Sequence, residues 1–573
     1  MSDSGTRAGA MAGNRKYFTA VGAVIFTGLL LYIRSLGYLF VSDDIELIVE
    51  NYWFSTDASM YDVAVRSIHF DSYWRPLTMV SFYVNYMMVG LSPWLYHATQ
   101  LLLHGMVIFL VILWAQLATD SRRVAILTGL IFALHPMLSE TVCFISARCN
   151  IFVTMGLMGS LVASELVLHK RIKAGLWTYA IAAFIAVFAK ESGILILGVP
   201  VVYWLYGSVR SKDTGSAKRF LKPYAIMAIT GIVFETVYLT ARFFVIQNID
   251  SSSVLHKSAG LVVTMAYRLS YWLGQLLLPL FSNPDYQWFG KNPGMYEVVF
   301  SLASMIFIVM GLVYLWYRKH WTWLLCAVLF LMVISPFLGF VSPKGRAFSE
   351  SWMYMALPFF ALPMATLFAK GLSSAKYKKI VLPLLVIVLT GYGALSIVHA
   401  QKWATPESIT LGALEADPAN PKALHNYAQE LHEQGNDAKA KKVLWSTVAH
   451  TPQFAPPYEF LGFLYLWEKD FIRAEKVVRL GLESTATKDR LYGLLATIML
   501  QTNRPQDALA VLNETPDTLR FKEKPRLIAA ALLQLGRTEE ALKILDTYLK
   551  QFPDDKQTRA LYQGLLKKQR SPQ

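Results

Sequence analysis

The stretch YFTAVGAVIFTGLLLYIRSLGYLFVSDD occupies residues 17–44 and decides the class of the protein. Its residues 17–40 form an apolar run that is long enough for a membrane-spanning helix, which needs about 20 residues. Further apolar runs follow up to about residue 400. The 573-residue chain is 54% hydrophobic and 16% charged, whereas about 25% of residues are charged in soluble proteins. These features predict a polytopic membrane protein of the all-α class.

The distribution of Lys and Arg predicts the orientation of the chain, because cytoplasmic loops are enriched in these residues. Arg15 and Lys16 precede the first run and place the N-terminus in the cytoplasm, so Asp43 and Asp44 emerge on the outer side. A crossing at 259–281 would break the pattern, and this run is predicted to be a re-entrant or surface-lying helix. The resulting eleven spans lie near 17–40, 94–117, 124–137, 150–168, 175–190, 192–209, 223–246, 296–317, 321–341, 352–369 and 378–398.

The basic character of the chain belongs to its membrane part. Residues 1–400 contain 30 Lys and Arg against 18 Asp and Glu, and residues 401–573 contain 24 against 21. The predicted cytoplasmic segments carry 19 of the basic residues and three acidic ones. No basic face with interleaved aromatic residues occurs outside the membrane part, which argues against a nucleic-acid partner. The partners expected instead are the bilayer and molecules on its outer side.

The segment after residue 400 contains an internal repeat. Ala440, Ala474 and Ala508 are 34 residues apart, and Ala541 follows after 33. Around Ala474, apolar and small residues recur in the order Tyr-Leu-Gly-Tyr-Ala between 458 and 474. This period is typical of tetratricopeptide repeats, whose paired helices stack into a solenoid with a concave binding surface. The sequence therefore predicts a membrane domain at 1–400 and an extracytoplasmic repeat domain at 401–573, with units at 421–454, 455–488, 489–522 and 523–555.

Five polar clusters fall on the outer face of this topology. The first is the acidic pair Asp43 and Asp44, because a carboxylate within reach of a hydroxyl group can act as a general base. Loop solvation explains the pair equally well, and adjacent residues point to different sides, so one acid can act while the other stabilises the loop. The other clusters contain Arg75 at 72–77, His135, Glu140 and Arg148 at 133–150, Lys190 and Glu191 at 189–192, and Arg346, Glu350 and Tyr354 at 342–358.

The residue types of these clusters suit an anionic ligand at the membrane surface. Arg148 is a candidate for a phosphate contact, because a guanidinium group binds phosphate with two hydrogen bonds. Lys190 and Glu191 form either an internal ion pair or a phosphate site. His135 and Glu140 are ligands for a divalent metal, acid–base groups or packing residues, and the sequence leaves these three roles open. No further cofactor is indicated.

The order of these motifs resembles the GT-C glycosyltransferases, and most closely the transmembrane and tetratricopeptide-repeat O-mannosyltransferases and their bacterial relatives. The resemblance is carried by the motifs Asp43-Asp44, Tyr73-Trp74-Arg75-Pro76-Leu77, Ala133-Leu-His-Pro136 with Glu140 and Arg148, Lys190-Glu191, and Glu350 with Tyr354 and Pro358. It implies a GT-C-like bundle followed by a repeat solenoid. Trp74 interrupts the usual Tyr-Arg-Pro run, and Ser351 replaces a frequent Arg, so the sugar and acceptor can differ from mannose and protein.

The resemblance also implies a function. A sugar would pass from a polyprenyl-phosphate carrier to an extracytoplasmic acceptor, normally a protein hydroxyl group, and the repeats would bind the acceptor. Asp43 or Asp44 would be the base, and Arg148, Lys190 and Arg346 would contact the lipid phosphate. The alternatives are a membrane-anchored repeat scaffold for an envelope complex and a polymerase or transporter of lipid-linked glycans. The sequence favours a bacterial inner membrane, with the repeats in the periplasm.

Overall fold

A computed structural model describes residues 3–54, 58–68, 73–210, 216–246, 261–280, 282–283, 295–338, 349–485, 488–515, 523–551 and 555–570. Within these ranges the secondary structure is helical, and the one extended feature is an isolated bridge between Ile68 and Tyr73. The predicted all-α class is therefore confirmed. The chain divides into two compact units, Met1–Ala416 and Asp417–Gln573. Arg346, one of the predicted site residues, lies outside the described ranges.

The first unit is a bundle of α-helices joined by short 3-10 and π segments. Its helices are α1 (Asp3–Leu31), α2 (Met60–Ala64), α3 (Pro76–Val89), α4 (Pro93–Thr119), α5 (Arg122–Leu134), α6 (Ser139–Cys143), α7 (Arg148–Leu168), α8 (Ile172–Ala189), α9 (Gly198–Arg210), α10 (Ser216–Val245), α11 (Leu261–Leu277), α12 (Met295–Tyr317), α13 (Trp321–Ile334), α14 (Met353–Ser373), α15 (Lys378–Gln401) and α16 (Pro406–Ala416).

Each of the eleven predicted spans overlaps a helix of this unit. Eight helical segments in the described part of the chain are long and apolar enough to cross a membrane, or nine if the pair around His135, bent by 61°, forms one broken span. The two remaining predicted spans correspond to α1 and to the shorter apolar helix Trp321–Phe337. The predicted polytopic membrane bundle is confirmed, and helix α11 is outside this count.

Small residues bring α7 and α8 into direct backbone contact. A Cβ atom on Gly156 would lie 2.5 Å from the carbonyl oxygen of Ala182 and 2.7 Å from the Cβ of Ala186. Small residues permit such close packing of membrane helices. Since the two helices are antiparallel neighbours, this contact fixes the beginning of α7 beside the end of α8, where Asn150 and Lys190 lie.

The second unit consists of antiparallel helix pairs with the predicted repeat. Its helices are α17 (Pro421–Glu433), α18 (Asp437–His450), α19 (Pro456–Trp467), α20 (Phe471–Ser484), α21 (Asp489–Gln501), α22 (Pro505–Glu514), α23 (Lys524–Gln534), α24 (Thr538–Gln551) and α25 (Lys556–Arg570). Each predicted unit contains one pair, and α25 follows the fourth. The periodic alanines 440, 474, 508 and 541 are completely buried, because the helices touch at these positions. The predicted repeat solenoid is thus confirmed.

Helix α16 belongs to the first compact unit, although it follows the predicted domain boundary at residue 400. Lys402 pairs with Glu415 of α16 at 3.0 Å and also donates a hydrogen bond to the carbonyl of Ser282. Trp403 is buried and stacks on Phe144, with ring centroids 5.1 Å apart. These contacts hold the segment after α15 against the bundle.

Candidate active site

The beginning of α7 is the place where the predicted clusters meet. Ser146 contacts Asp44 of the first cluster, and Asn150 contacts Lys190 of the fourth. Arg75 of the second cluster contacts Glu191, and Glu140 contacts Ser351 of the fifth. These contacts join all five sequence clusters at one end of the bundle. We call the following residues the helix-end cluster: Asp44, Arg75, Glu140, Ser146, Asn150, Lys190, Glu191, Ser349 and Ser351.

The two adjacent acids have different environments. Asp44 is completely buried, and its carboxylate accepts hydrogen bonds from the backbone N–H of Ser146 at 2.7 Å, from the Ser146 hydroxyl group and from the N–H of Val41 at 3.2 Å. Burial raises the pKa of Asp44 to about 7 and outweighs these hydrogen bonds, which lower it. Asp43 remains partly exposed, and its carboxylate accepts a hydrogen bond from Ser42. Asp44 therefore anchors the loop, while the carboxylate of Asp43 is accessible.

Arg148 is enclosed by protein, and all three nitrogen atoms of its guanidinium group donate hydrogen bonds. Nε donates to Gln100, one terminal nitrogen donates to Ser81 and Asn85, and the other donates to the carbonyl of Tyr96, all between 2.8 and 3.2 Å. The side chain is 0% exposed. Arg148 therefore ties α3 and α4 to the beginning of α7. Its predicted phosphate contact stays a prediction, and in this conformation each of its three nitrogen atoms donates to a protein group.

Arg75 and Glu191 form a partly buried ion pair. Nε and one terminal nitrogen of Arg75 donate to the Glu191 carboxylate at 3.1 and 3.0 Å, and the guanidinium group lies 4.8 Å from the ring centre of Tyr73. Burial lowers the pKa of Arg75, but the Glu191 carboxylate outweighs burial and keeps the pKa above its ordinary value. The pair connects the beginning of α3 to the end of α8. The sequence suggested either an ion pair or a phosphate site at Lys190 and Glu191. In the structure Glu191 does form an ion pair, but its partner is Arg75.

Lys190 donates fewer hydrogen bonds to the protein than Arg75 or Arg148 does. Its ammonium group donates one hydrogen bond of 2.7 Å, to the side-chain oxygen of Asn150, and the residue remains partly exposed. An ammonium group has three donors. Glu140 lies close enough to act electrostatically on it. Lys190 therefore keeps donor capacity for an anion at the helix-end cluster.

Two further acids, Glu140 and Glu350, fix the position of the segment before α14. Glu140 accepts hydrogen bonds from the Ser349 hydroxyl group at 2.6 Å and from the Ser351 N–H at 2.9 Å. Glu350 points to other partners, the hydroxyl group of Ser282 at 3.2 Å and the backbone N–H of Asn283 at 3.3 Å. Both carboxylates are buried, and both orient the backbone around them.

His135 and Tyr354 lie in the interior of the bundle. Nδ1 of His135 accepts a hydrogen bond from the Met137 N–H, so Nε2 carries the proton and donates to the carbonyl of Leu276 at 3.1 Å. Both ring nitrogens are thus in use. The hydroxyl group of Tyr354 lies 2.7 Å from Nδ1 of His104. Among the described residues, no three His, Cys, Asp or Glu side chains gather in a way that could hold a metal ion.

The sequence-based list of candidates does not include the polar residues that surround Arg148. Ser81, Asn85 and Gln100 lie on α3 and α4, and His104 lies one turn beyond Gln100. All except Ser81 are buried. Polar side chains within apolar helices are costly, and they usually face the bundle interior. This signal was present in the sequence for Asn85, Gln100 and His104.

The fold and the cluster define a polytopic helical membrane protein with a network of ionisable residues at one end of its bundle, followed along the chain by a tetratricopeptide-type array. The chain is homologous to protein O-mannosyl-transferases of the transmembrane and tetratricopeptide-repeat type, and the resemblance expected from the sequence is confirmed. No protein-family model matches the chain.

The similarity to individual relatives is low but extended. The chain is 25% identical over 505 residues to protein O-mannosyl-transferase TMTC1 of Homo sapiens, a match that covers 76% of this chain and 55% of the relative. It is 22% identical over 488 residues to TMTC4 of Mus musculus, covering 74% and 66%. For F38B6.6 of Caenorhabditis elegans the identity is 21% over 474 residues, covering 79% and 66%. The matches thus span about half to two thirds of the length of these relatives.

Proposed function

We propose that the protein is a membrane glycosyltransferase that transfers a sugar from a polyprenyl phosphate to a hydroxyl group of a protein. The observation that carries the proposal is the helix-end cluster, in which carboxylates and cations from five separate segments meet. The names of the relatives, which are protein O-mannosyl-transferases, support protein O-mannosylation as the reaction class. GT-C-type chemistry, the lipid carrier and the repeats as the acceptor-binding unit are parts of this proposal.

The partly exposed carboxylate of Asp43 is the proposed base. The acceptor hydroxyl oxygen attacks the anomeric carbon of the sugar and forms the new glycosidic bond. The bond from this carbon to the carrier phosphate breaks, the hydroxyl proton passes to Asp43, and the polyprenyl phosphate leaves with the bonding electrons. Because a phosphate is already a good leaving group, cationic donors that stabilise its growing negative charge are sufficient.

Lys190 is the proposed donor to the carrier phosphate. Among the described cations at this end of the bundle, Arg148 and Arg75 each donate several hydrogen bonds to protein groups, whereas Lys190 donates a single hydrogen bond. Lys binds phosphate well as a point charge. Arg346 remains a further predicted phosphate residue.

The repeats are proposed to bind the acceptor polypeptide. Trp467 is 58% exposed and stacks on His432, with ring centroids 5.0 Å apart, and Phe463 lies 5.9 Å from the same ring. These three side chains come from α17 and α19, the first helices of consecutive repeats. A row of partly exposed aromatic rings is typical of surfaces that bind peptides. We propose that the helix-end cluster and the repeats both lie on the outer face of a bacterial inner membrane, with the N-terminus in the cytoplasm.

Mass spectrometry of envelope proteins tests the proposal directly. A strain lacking the gene should lose a hexose-type mass from Ser or Thr residues, and the wild-type gene should restore it. Asp43→Asn should not restore the sugar although the protein inserts normally. Glu50→Gln is the matched control, because Glu50 is an exposed acid that follows Asp43 closely in the chain. An unchanged sugar profile in the deletion strain would exclude the transferase and leave the scaffold as the explanation.

A further inference from the structure

Helix α11 lines an apolar cavity with one side and carries the cation Arg268 beside it. Leu269, Leu273 and Leu276 line an apolar cavity of about 300 Å³, whose other lining residues lie on α12, α13 and α14. The cavity walls include Ile308, Phe330 and Phe359. The helix is amphipathic, and Arg268 and Gln275 lie outside the row of lining leucines. A single helix thus presents an apolar face to the cavity and carries a cation next to it.

The guanidinium group of Arg268 is poorly satisfied within the described residues. Its Nε atom is buried and has no hydrogen-bond partner in the part of the chain that the structure describes. One terminal nitrogen donates to the carbonyl of Phe337 at 3.4 Å, which is long compared with the usual distance of about 2.9 Å. Arg148, in contrast, has donor groups on all three of its nitrogens engaged at 3.2 Å or less. A buried cationic donor without an acceptor costs free energy, and an anionic ligand would reduce this cost.

Arg268 is connected to the helix-end cluster by direct contacts. Phe337, whose carbonyl accepts from Arg268, stacks on Trp352 with ring centroids 4.7 Å apart. Trp352 directly follows Ser351, and the Ser351 N–H binds Glu140 of the cluster. A chain of contacts therefore links the cation beside the cavity to the proposed active site.

We propose that Arg268 binds the phosphate of a polyprenyl-phosphate lipid whose first apolar units enter the cavity beneath α11. The inference rests on the proposed function, since it names a further residue for the carrier. The occupant must combine an anionic group for Arg268 with an apolar body for the leucine-lined cavity, and a polyprenyl phosphate has both. A guanidinium group suits this ligand because it can donate two parallel hydrogen bonds to one phosphate.

Binding of farnesyl phosphate and farnesol to the purified full-length protein in detergent tests this inference without any sugar transfer. Arg268→Gln should weaken farnesyl phosphate binding at least tenfold and leave farnesol binding within twofold. Leu273→Trp, which fills the cavity, should weaken both ligands. Arg242→Gln is the matched control, because Arg242 is a partly exposed cation on α10, and it should bind both ligands as the wild type does. Equal affinity of Arg268→Gln and the wild type for farnesyl phosphate would overturn the inference.

Two further measurements separate ligand binding from a structural role. Without ligand, Arg268→Gln should melt at the wild-type temperature or higher, because it removes a poorly satisfied charge; a lower melting temperature would indicate a structural arginine and overturn the inference. Phosphatidic acid should compete with farnesyl phosphate at least tenfold less effectively than unlabelled farnesyl phosphate does. Equal competition would identify a general phospholipid site instead. Farnesyl phosphate binding without any sugar transfer would reject the proposed function alone, whereas sugar transfer with unchanged donor affinity in Arg268→Gln would reject this inference alone.

Discussion

Asp44 and Ser146 are 102 residues apart in the chain and are joined by two hydrogen bonds, from the Ser146 N–H at 2.7 Å and from its hydroxyl group. The pair fastens the segment after α1 to the beginning of α7. It therefore sets the position of Asp43, the neighbouring carboxylate that remains partly exposed. Asp44 has the properties of a positioning residue, and Asp43 has those of an accessible base.

Substitution of the two acids should separate stability from activity. Asp44→Ala leaves the N–H groups of Val41 and Ser146 without acceptors in a buried place, so we expect a loss of about 2 kcal/mol in the free energy of unfolding. Asp43→Asn should abolish sugar transfer and leave the melting temperature unchanged. Thermal unfolding in detergent and a transfer assay measure the two effects. Equal loss of stability in both variants would contradict the assignment.

The buried Asp44 should also make stability depend on pH. Its pKa is raised to about 7 in the folded protein from 3.8 in the unfolded chain, because burial disfavours the charged form. The folded state therefore holds the proton more tightly, and stability should fall as the pH rises from about 4 to about 7 and level off above. The slope from this group approaches about 1.4 kcal/mol per pH unit.

The difference between wild type and Asp44→Asn isolates this contribution from other titrating groups. With melting temperatures measured at pH 5, 6, 7 and 8, the wild-type value minus the Asp44→Asn value should fall up to about pH 7 and then level off if the wild type loses stability through Asp44 ionisation. A constant difference across this range would show that Asp44 does not titrate there.

Arg148 should prove structural when it is replaced. Arg148→Met removes the donors for Gln100, Asn85 and the Tyr96 carbonyl, and leaving these buried acceptors unpaired should cost at least about 3 kcal/mol. We expect a large loss of folded protein in size-exclusion chromatography. Arg171→Met, at an exposed position, is the control and should leave the yield unchanged. A well-folded Arg148→Met protein that fails only in donor binding would support the phosphate role predicted from the sequence.

The parts of the structure that were predictable from the sequence depend on local periodicity. The spacing of Ala440, Ala474 and Ala508 identifies the repeat because helices that pack closely need a small residue at one fixed position per unit. Apolar length likewise identifies the spans, although the count by length and composition within the described ranges is eight or nine and not eleven. The bend at His135 lowers this count, because it breaks one span into two helices.

The partners of each site residue were not predictable, because they come from distant segments. Nothing near Arg148 in the sequence indicates that its guanidinium group donates to Gln100 and Asn85. Likewise, Glu191 pairs with Arg75 and not with its neighbour Lys190 because of the position that the fold gives to Arg75. The different environments of Asp43 and Asp44 were expected from their adjacency, but which acid is buried depends on the tertiary contact with Ser146.

The exposed ring of Trp467 should matter for the acceptor and not for the fold. Its ring stacks on His432 and is 58% exposed, so Trp467→Ala removes contact area for a polypeptide while it leaves the repeat core intact. We expect a tenfold or larger rise in KM for a protein acceptor, with unchanged KM for the lipid donor and unchanged thermal stability. Ile472→Ala is the matched control, since Ile472 is an 83% exposed apolar residue on the neighbouring helix α20. If both variants glycosylate the acceptor like the wild type, the aromatic row does not bind it, and acceptor recognition must reside elsewhere in the chain.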